Sequence, residues 1–387
     1  MSPAPSSVAE LLVGKSICVC AGAGGVGKTT VAAAIAAGMA ARGKRVAVVT
    51  IDPARRLATS LGIPELGNEA RLVEPERLEA AGLEANGELW AMMLDAKATF
   101  DETVRKHAAD DESRERILNN RIYQQISNAL AGSQEYMAME KLYEIYEEGR
   151  YDLLVLDTPP SRNALDFLDA PERLARFIDS RSLQFFLAPG RRGLRILGRG
   201  TGVLFGVLKR VTGIDLLKDL SDFFQSFGDM AEGFTERATK VNGLLTSRAA
   251  TFLLVTSPQS ESMEEAEFFR SRLLDDGMPF GGAVVNRVHD LGLAPSANDG
   301  DGEARDVAGE HAELERELAG LLGDPLAAKV FRNFEDYRAL ARHDRASVER
   351  LRDRLGRGES LILVPYLDED VHDLGGLAAV GEHLFPA

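Results

Sequence analysis

Seven short apolar runs punctuate the chain, at 17–21, 45–51, 89–94, 153–156, 252–255, 283–285 and 361–364. Runs this continuous, without a polar residue at every second position, predict parallel strands covered on both faces. Between several of them the apolar period lengthens to three and four. Residues 29–41, Ala-rich and closed by Gly43, and 261–274, closed by Gly277, read as helices. The alternation predicts an α/β fold built on a doubly wound, mostly parallel sheet.

Two stretches break that alternation. Residues 99–148 and 163–248 are free of strand signals and helical in period, which predicts an inserted α-helical subdomain between core segments 1–98, 149–162 and 249–387. Leu, Phe and Met positions from Leu216 to Phe234 form one apolar stripe at helical spacing. Such a stripe usually packs its own subdomain; the alternative is an apolar groove completed by 183–186 and 203–208. Residues 189–210 carry only basic charge, suited to an anionic membrane surface or acidic partner, or else to a solvated loop. Residues 289–306 read as a flexible surface loop. Residues 313–357 read as amphipathic helices interrupted near Gly323-Asp324-Pro325.

Composition narrows the function. The 387 residues carry 45 Lys and Arg against 60 Asp and Glu, a formal charge of −15, so nucleic acid is not an expected general partner. Cys18 and Cys20 lie two apart in the first apolar run and are expected on opposite faces of their strand, as free thiols of a reducing compartment. The amino end shows no basic-then-apolar leader pattern, and no uncharged apolar run reaches about 18 residues. The expected location is cytoplasmic.

Gly22-Ala23-Gly24-Gly25-Val26-Gly27-Lys28-Thr29 fits GxxxxGK[ST] directly after an apolar run and directly before the Ala-rich helix. In that context the backbone N–H groups can cradle phosphates, Lys28 can neutralise β/γ oxygens and the Thr29 hydroxyl can face Mg²⁺. The competing reading is a glycine-rich turn that binds nothing. Asp157 closes the run 153–156 and is a candidate metal residue, or simply a cap or turn former. Asp52 follows the second run, so a parallel sheet brings it to the same edge as the glycine loop, where it can orient or deprotonate an attacking water.

Cys20–Thr30, Asp52-Pro53-Ala54, Asp157-Thr158-Pro159-Pro160, Asn286-Arg287 and Val364-Pro365 followed by 375–384 resemble, in order, the arsenical-pump or anion-transporting ATPase family, kin of the ATPases that target tail-anchored membrane proteins. The resemblance implies ATP and Mg²⁺ held by Gly24, Gly25, Val26, Gly27, Lys28, Thr29 and Thr30. It implies catalytic roles for Asp52 and Lys28, a metal role for Thr29 and Asp157, and adenine reading by Asn286, whose amide offers both donor and acceptor unless it only makes a turn. It further implies a Mg-dependent ATPase whose cycle reshapes a dimer, as a homodimer or a heterodimer with a related ATPase. A protein client and peripheral membrane association are the implied partners. The alternatives are a nucleotide switch or scaffold that turns over only with a paralogous subunit, and the catalytic subunit of an anion or metalloid efflux pump.

Three departures from the family pattern stand out. The family's extra signature lysine would fall at Ala23, leaving Arg55, Arg56 and Arg162 as candidates for charge across a dimer. No CxxC is present to hold an inter-subunit zinc, and no cysteine cluster is present to take up metalloid.

Overall fold

The computed structural model describes residues 6–51, 56–108, 110–120, 123–124, 133–159, 236–290, 316–356 and 358–386. They form an eight-stranded sheet of β1 (Ile17–Ala21), β2 (Arg45–Thr50), β3 (Arg71–Leu72), β4 (Glu88–Met93), β5 (Leu153–Asp157), β6 (Ala250–Thr256), β7 (Phe280–Val288) and β8 (Ser360–Pro365). The order is β3-β4-β2-β5-β1-β6-β7-β8, parallel throughout except for β3 against β4. All seven predicted strands are present. β3, two exposed residues long, had no apolar run to announce it.

From β1 the chain runs outward to β2 and β4 on one side, then returns through β5 and leaves through β6, β7 and β8 on the other. β1 is therefore the switch point of the winding, and the crevice outside the carboxyl ends of such strands is where doubly wound sheets bind ligands. Parallel register brings the strand ends level: Thr50 of β2 and Cys20 of β1 both pair with Asp157 of β5.

The helices are α1 (Val8–Leu11), α2 (Lys28–Ala41), α3 (Arg56–Ser60), α4 (Pro75–Ala80), α5 (Ala96–His107), α6 (Asp111–Leu118), α7 (Ser133–Glu147), α8 (Ser260–Asp275), α9 (Asp324–Arg354) and α10 (Leu374–Leu384). Helical segments also span 236–245 and 316–322, with Gly323 dividing the latter from α9 where the sequence placed the interruption. α5, α6 and α7 occupy the first predicted helical stretch. The stripe from Leu216 to Phe234, the basic stretch 189–210 and the loop beyond Asp290 lie outside the described residues.

Side chains alternate across β1. Ile17, Val19 and Ala21 enter one core, with α7, α8, α9 and 236–245. Cys18 and Cys20 enter the other, under α2 and α10. The expectation of opposite faces for the two cysteines thus fails, because positions two apart in a strand share a face. Both are buried free thiols. The hydrogen bond with Cys18, and then burial, push the Cys20 thiol well above its ordinary range.

One further boundary changes. β7 does not end at Asn286 but continues to Val288, because β8 pairs with it past that point: Asn286 with Val364 and Val288 with Pro365, leaving Arg287 as the extra residue of a bulge.

Candidate functional site

The site begins where β1 runs out. A Cβ at Gly22 would collide with the carbonyl oxygen of Val255 on β6, so only glycine lets the chain turn here so close to the neighbouring strand. The loop closes at Gly27, whose φ of 94° suits glycine and whose missing side chain leaves room for the Asn286 amide. Gly27 caps α2 without any side-chain hydrogen bond. The first N–H groups of the helix are therefore not used by a side-chain cap, and the positive end of the helix dipole adds to them. Lys28 is buried, 7% exposed, and its Nζ donates to Ala23 O across the loop at 2.7 Å.

Beneath the loop lies Asp157, 1% exposed at the end of β5. Its Oδ2 accepts hydrogen bonds from Thr29 Oγ1 at 2.7 Å and from Thr50 Oγ1 at 2.9 Å. The next residue, Thr158, donates its N–H and hydroxyl to Cys20 O at 3.2 and 2.9 Å, which locks the end of β5 to β1. Thr29 and Asp157, some 128 residues apart in sequence, are thus brought into contact. Hydroxyl and carboxylate oxygens are the donors a hard cation such as Mg²⁺ takes when phosphates complete its shell. Thr50 was not foreseen; its only sequence signal is a hydroxyl at the end of an otherwise apolar run.

Above these residues opens a cleft of about 700 Å³ whose lining includes Gly24, Lys28, Thr29, Arg56, Arg287 and His372. Among the described residues its wall carries three strongly basic side chains and no acid, although the chain is acidic overall. The charge, the glycine loop and the oxygen donors below together fit a phosphate chain with its metal. Gly25, Gly27 and Thr30 also reach the cleft, and Val26 is buried behind it. Of the three arginines considered for the Ala23 position, Arg56 lines the cleft; Asp52, Arg55 and Arg162 lie outside the described residues. His372 arrives from the connection between β8 and α10, with Nδ1 2.7 Å from Asp370 O.

Asn286 and Arg287 face the loop from β7. Asn286, 5% exposed, donates Nδ2 to Val26 O at 2.9 Å. Arg287 donates Nη1 to Gly25 O at 3.2 Å. It does so from a left-handed conformation, φ 60°, which costs a side-chain-bearing residue about 1–2 kcal/mol. The bulge that imposes this angle has no signature in the sequence, since turn-forming Gly, Asn or Asp would be the usual sign of it.

Comparison with known proteins agrees with this arrangement. The chain is 32% identical over 176 residues to a protein of Halobacterium salinarum assigned as an arsenical pump-driving ATPase, covering 44% of this chain and 26% of that one. It is 26% identical over 275 residues to one of Aquifex aeolicus with the same assignment, covering 69% and 62%. An ASNA1 ATPase homologue of Paramecium tetraurelia is 25% identical over 274 residues, covering 69% and 73%. The chain thus spans about a quarter and somewhat under two thirds of the first two relatives. The model of the anion-transporting ATPases matches residues 15–294, well over half of the chain and the stretch that holds the glycine loop, Asp157 and Asn286-Arg287, and the chain belongs to that family.

Proposed function

We propose that the chain binds ATP with Mg²⁺ in the cleft over the glycine loop and hydrolyses it, using the cycle to change shape within a dimer. The observation that carries this reading is the buried junction of Asp157 with the Thr29 and Thr50 hydroxyls directly under a cleft lined, among the described residues, by Lys28, Arg56 and Arg287. Loop N–H groups and Lys28 hold the phosphate oxygens, Lys28 exchanging its bond to Ala23 O for them. Thr29 and Asp157 hold the metal, and Mg²⁺ bound there supplies charge that stabilises the transferring phosphoryl oxygens. Asp52, beyond the end of β2, aims the attacking water.

Calorimetry of the chain with ATP and Mg²⁺ tests the binding step; no heat with folded protein rejects the reading. Asp52→Asn should keep ATP binding and suppress phosphate release, and full turnover in that variant would remove Asp52 from the mechanism. Ala23 offers no side-chain charge to a facing subunit, so ATP alone is expected not to lock a tight homodimer. Light scattering that shows a stable ATP-dependent dimer would overturn that expectation. The client is proposed to be a protein bound through the helical insertion, with the cycle running in the cytoplasm. The buried free thiols support that location, and no helix among the described residues is long and apolar enough to cross a membrane.

A further inference from the structure

We propose that Asn286 and Arg287 are positioning residues for phosphate: the bulged end of β7 clips two successive carbonyls of the glycine loop and so aims the loop's N–H groups at the anion. The inference deepens the nucleotide reading above and rests on it. Arg287 holds Gly25 O and Asn286 holds Val26 O. A trans peptide unit is planar, with its C=O and N–H pointing in opposite directions. Drawing Gly25 O toward β7 therefore turns the Val26 N–H away from β7, and drawing Val26 O the same way turns the Gly27 N–H with it. Two adjacent N–H groups presented on one side make a concave anion cradle. A loop with glycines at 22, 24, 25 and 27 would otherwise sample many shapes, and binding would bear the cost of ordering it.

The rest of β7 is arranged to hold the clip in place. Among the described residues Arg287 is the one non-glycine residue with positive φ, and both of its flanks are pinned. On one side Asn286 is buried against Gly27. On the other, the His289 N–H and Nδ1 lie 2.9 and 2.7 Å from Asp344 Oδ2 of α9, and the His289 ring stacks on Tyr366 with centroids 5.4 Å apart. Backbone strain persists where the surroundings over-determine it, and here they aim one guanidinium at the loop. Arg287 makes no ion pair with an acid among the described residues, which leaves its donors for the loop carbonyl and the cleft.

The clip differs from adenine reading in what it protects: it acts on the phosphates whatever the base. The test is calorimetry of the full chain with ATP, GTP and inorganic tripolyphosphate, each with Mg²⁺, on wild type, Asn286→Ala, Arg287→Gly and Arg287→Lys. Arg287→Gly suits the left-handed backbone, so the unliganded protein should keep its melting midpoint yet bind all three ligands about tenfold more weakly, the effect of one charge-assisted hydrogen bond. Asn286→Ala should weaken tripolyphosphate as well as both nucleotides, and Arg287→Lys should recover part of the loss seen in Arg287→Gly. Undiminished tripolyphosphate binding by Arg287→Gly and Asn286→Ala, with wild type binding, overturns the clip whatever happens to base preference. Wild type that binds none of the three overturns the nucleotide reading itself, and the clip with it.

Discussion

The two faces of the sheet are packed by different means. Between β2 and β5 on one side and α10 on the other, α2 packs a run of buried alanines, Ala32, Ala33, Ala34, Ala36 and Ala37, and at Gly38 the ring of Phe385 beyond α10 lies where a side chain would go. The opposite face is filled by Phe252, Phe269, Met139 and Leu142 beneath α7 and α8. Small side chains bring backbone close to backbone, so a shift of α2 passes directly to the loop at its amino end. Longer side chains leave room for rotamer adjustment, and their loss is felt as lost burial. Positional precision for the site is therefore built into the alanine contacts of α2, which sit among larger side chains such as Ile35, Leu57 and Leu377, while the opposite face contributes bulk burial.

The largest effect is expected at the loop itself: Lys28→Ala should lower phosphate release about a thousandfold, by loss of a buried cation at the transferring group. Steady-state phosphate assays, with circular dichroism to confirm folding, decide it. On the large-residue face, Phe269→Ala should cost about 3–5 kcal/mol in urea unfolding while leaving nucleotide affinity of the folded protein unchanged. A parallel fall in affinity would show that this face also positions the site. On the small-residue face, Gly38→Val forces a side chain into Phe385 and should cost about 1–3 kcal/mol. It should also weaken ATP binding, measured by calorimetry; normal affinity would remove α2 packing from the positioning argument.

The smallest effect is a pH dependence on the large-residue side. Burial first, then Arg237 and Lys106, hold the His107 imidazole at the end of α5 below its ordinary value of 6.5. The unfolded chain then takes up the proton before the folded one, so stability present above 6.5 is lost as the pH falls toward the lowered value. That burial is only partial, and His107 keeps much of its surface in water, which limits the effect to less than about 1 kcal/mol. Urea midpoints at about pH 7.5 and about pH 5.5 should differ less in His107→Gln than in wild type.

Much of this molecule is legible in the linear chain. Strands covered on both faces must be apolar throughout, and for that reason seven runs of Val, Leu, Ile and Ala mark the sheet. A glycine loop between strand and helix can be recognised because each glycine meets a local requirement: the turn at Gly22 and the left-handed cap at Gly27. The parallel alternation also places Asp157 and the loop on one edge before any coordinate is known.

What only the tertiary structure decides is the pairing of residues distant along the chain. Nothing local tells Thr50 that its hydroxyl will meet Asp157, nor that Cys20 O will hold Thr158. The register of three parallel strands settles both. Arg287 is the clearest case: its conformation comes from a mismatch of one residue between β7 and β8, with Asn286 and His289 tied down on either side. Local preference opposes that conformation, and only the sum of non-local contacts can outweigh it.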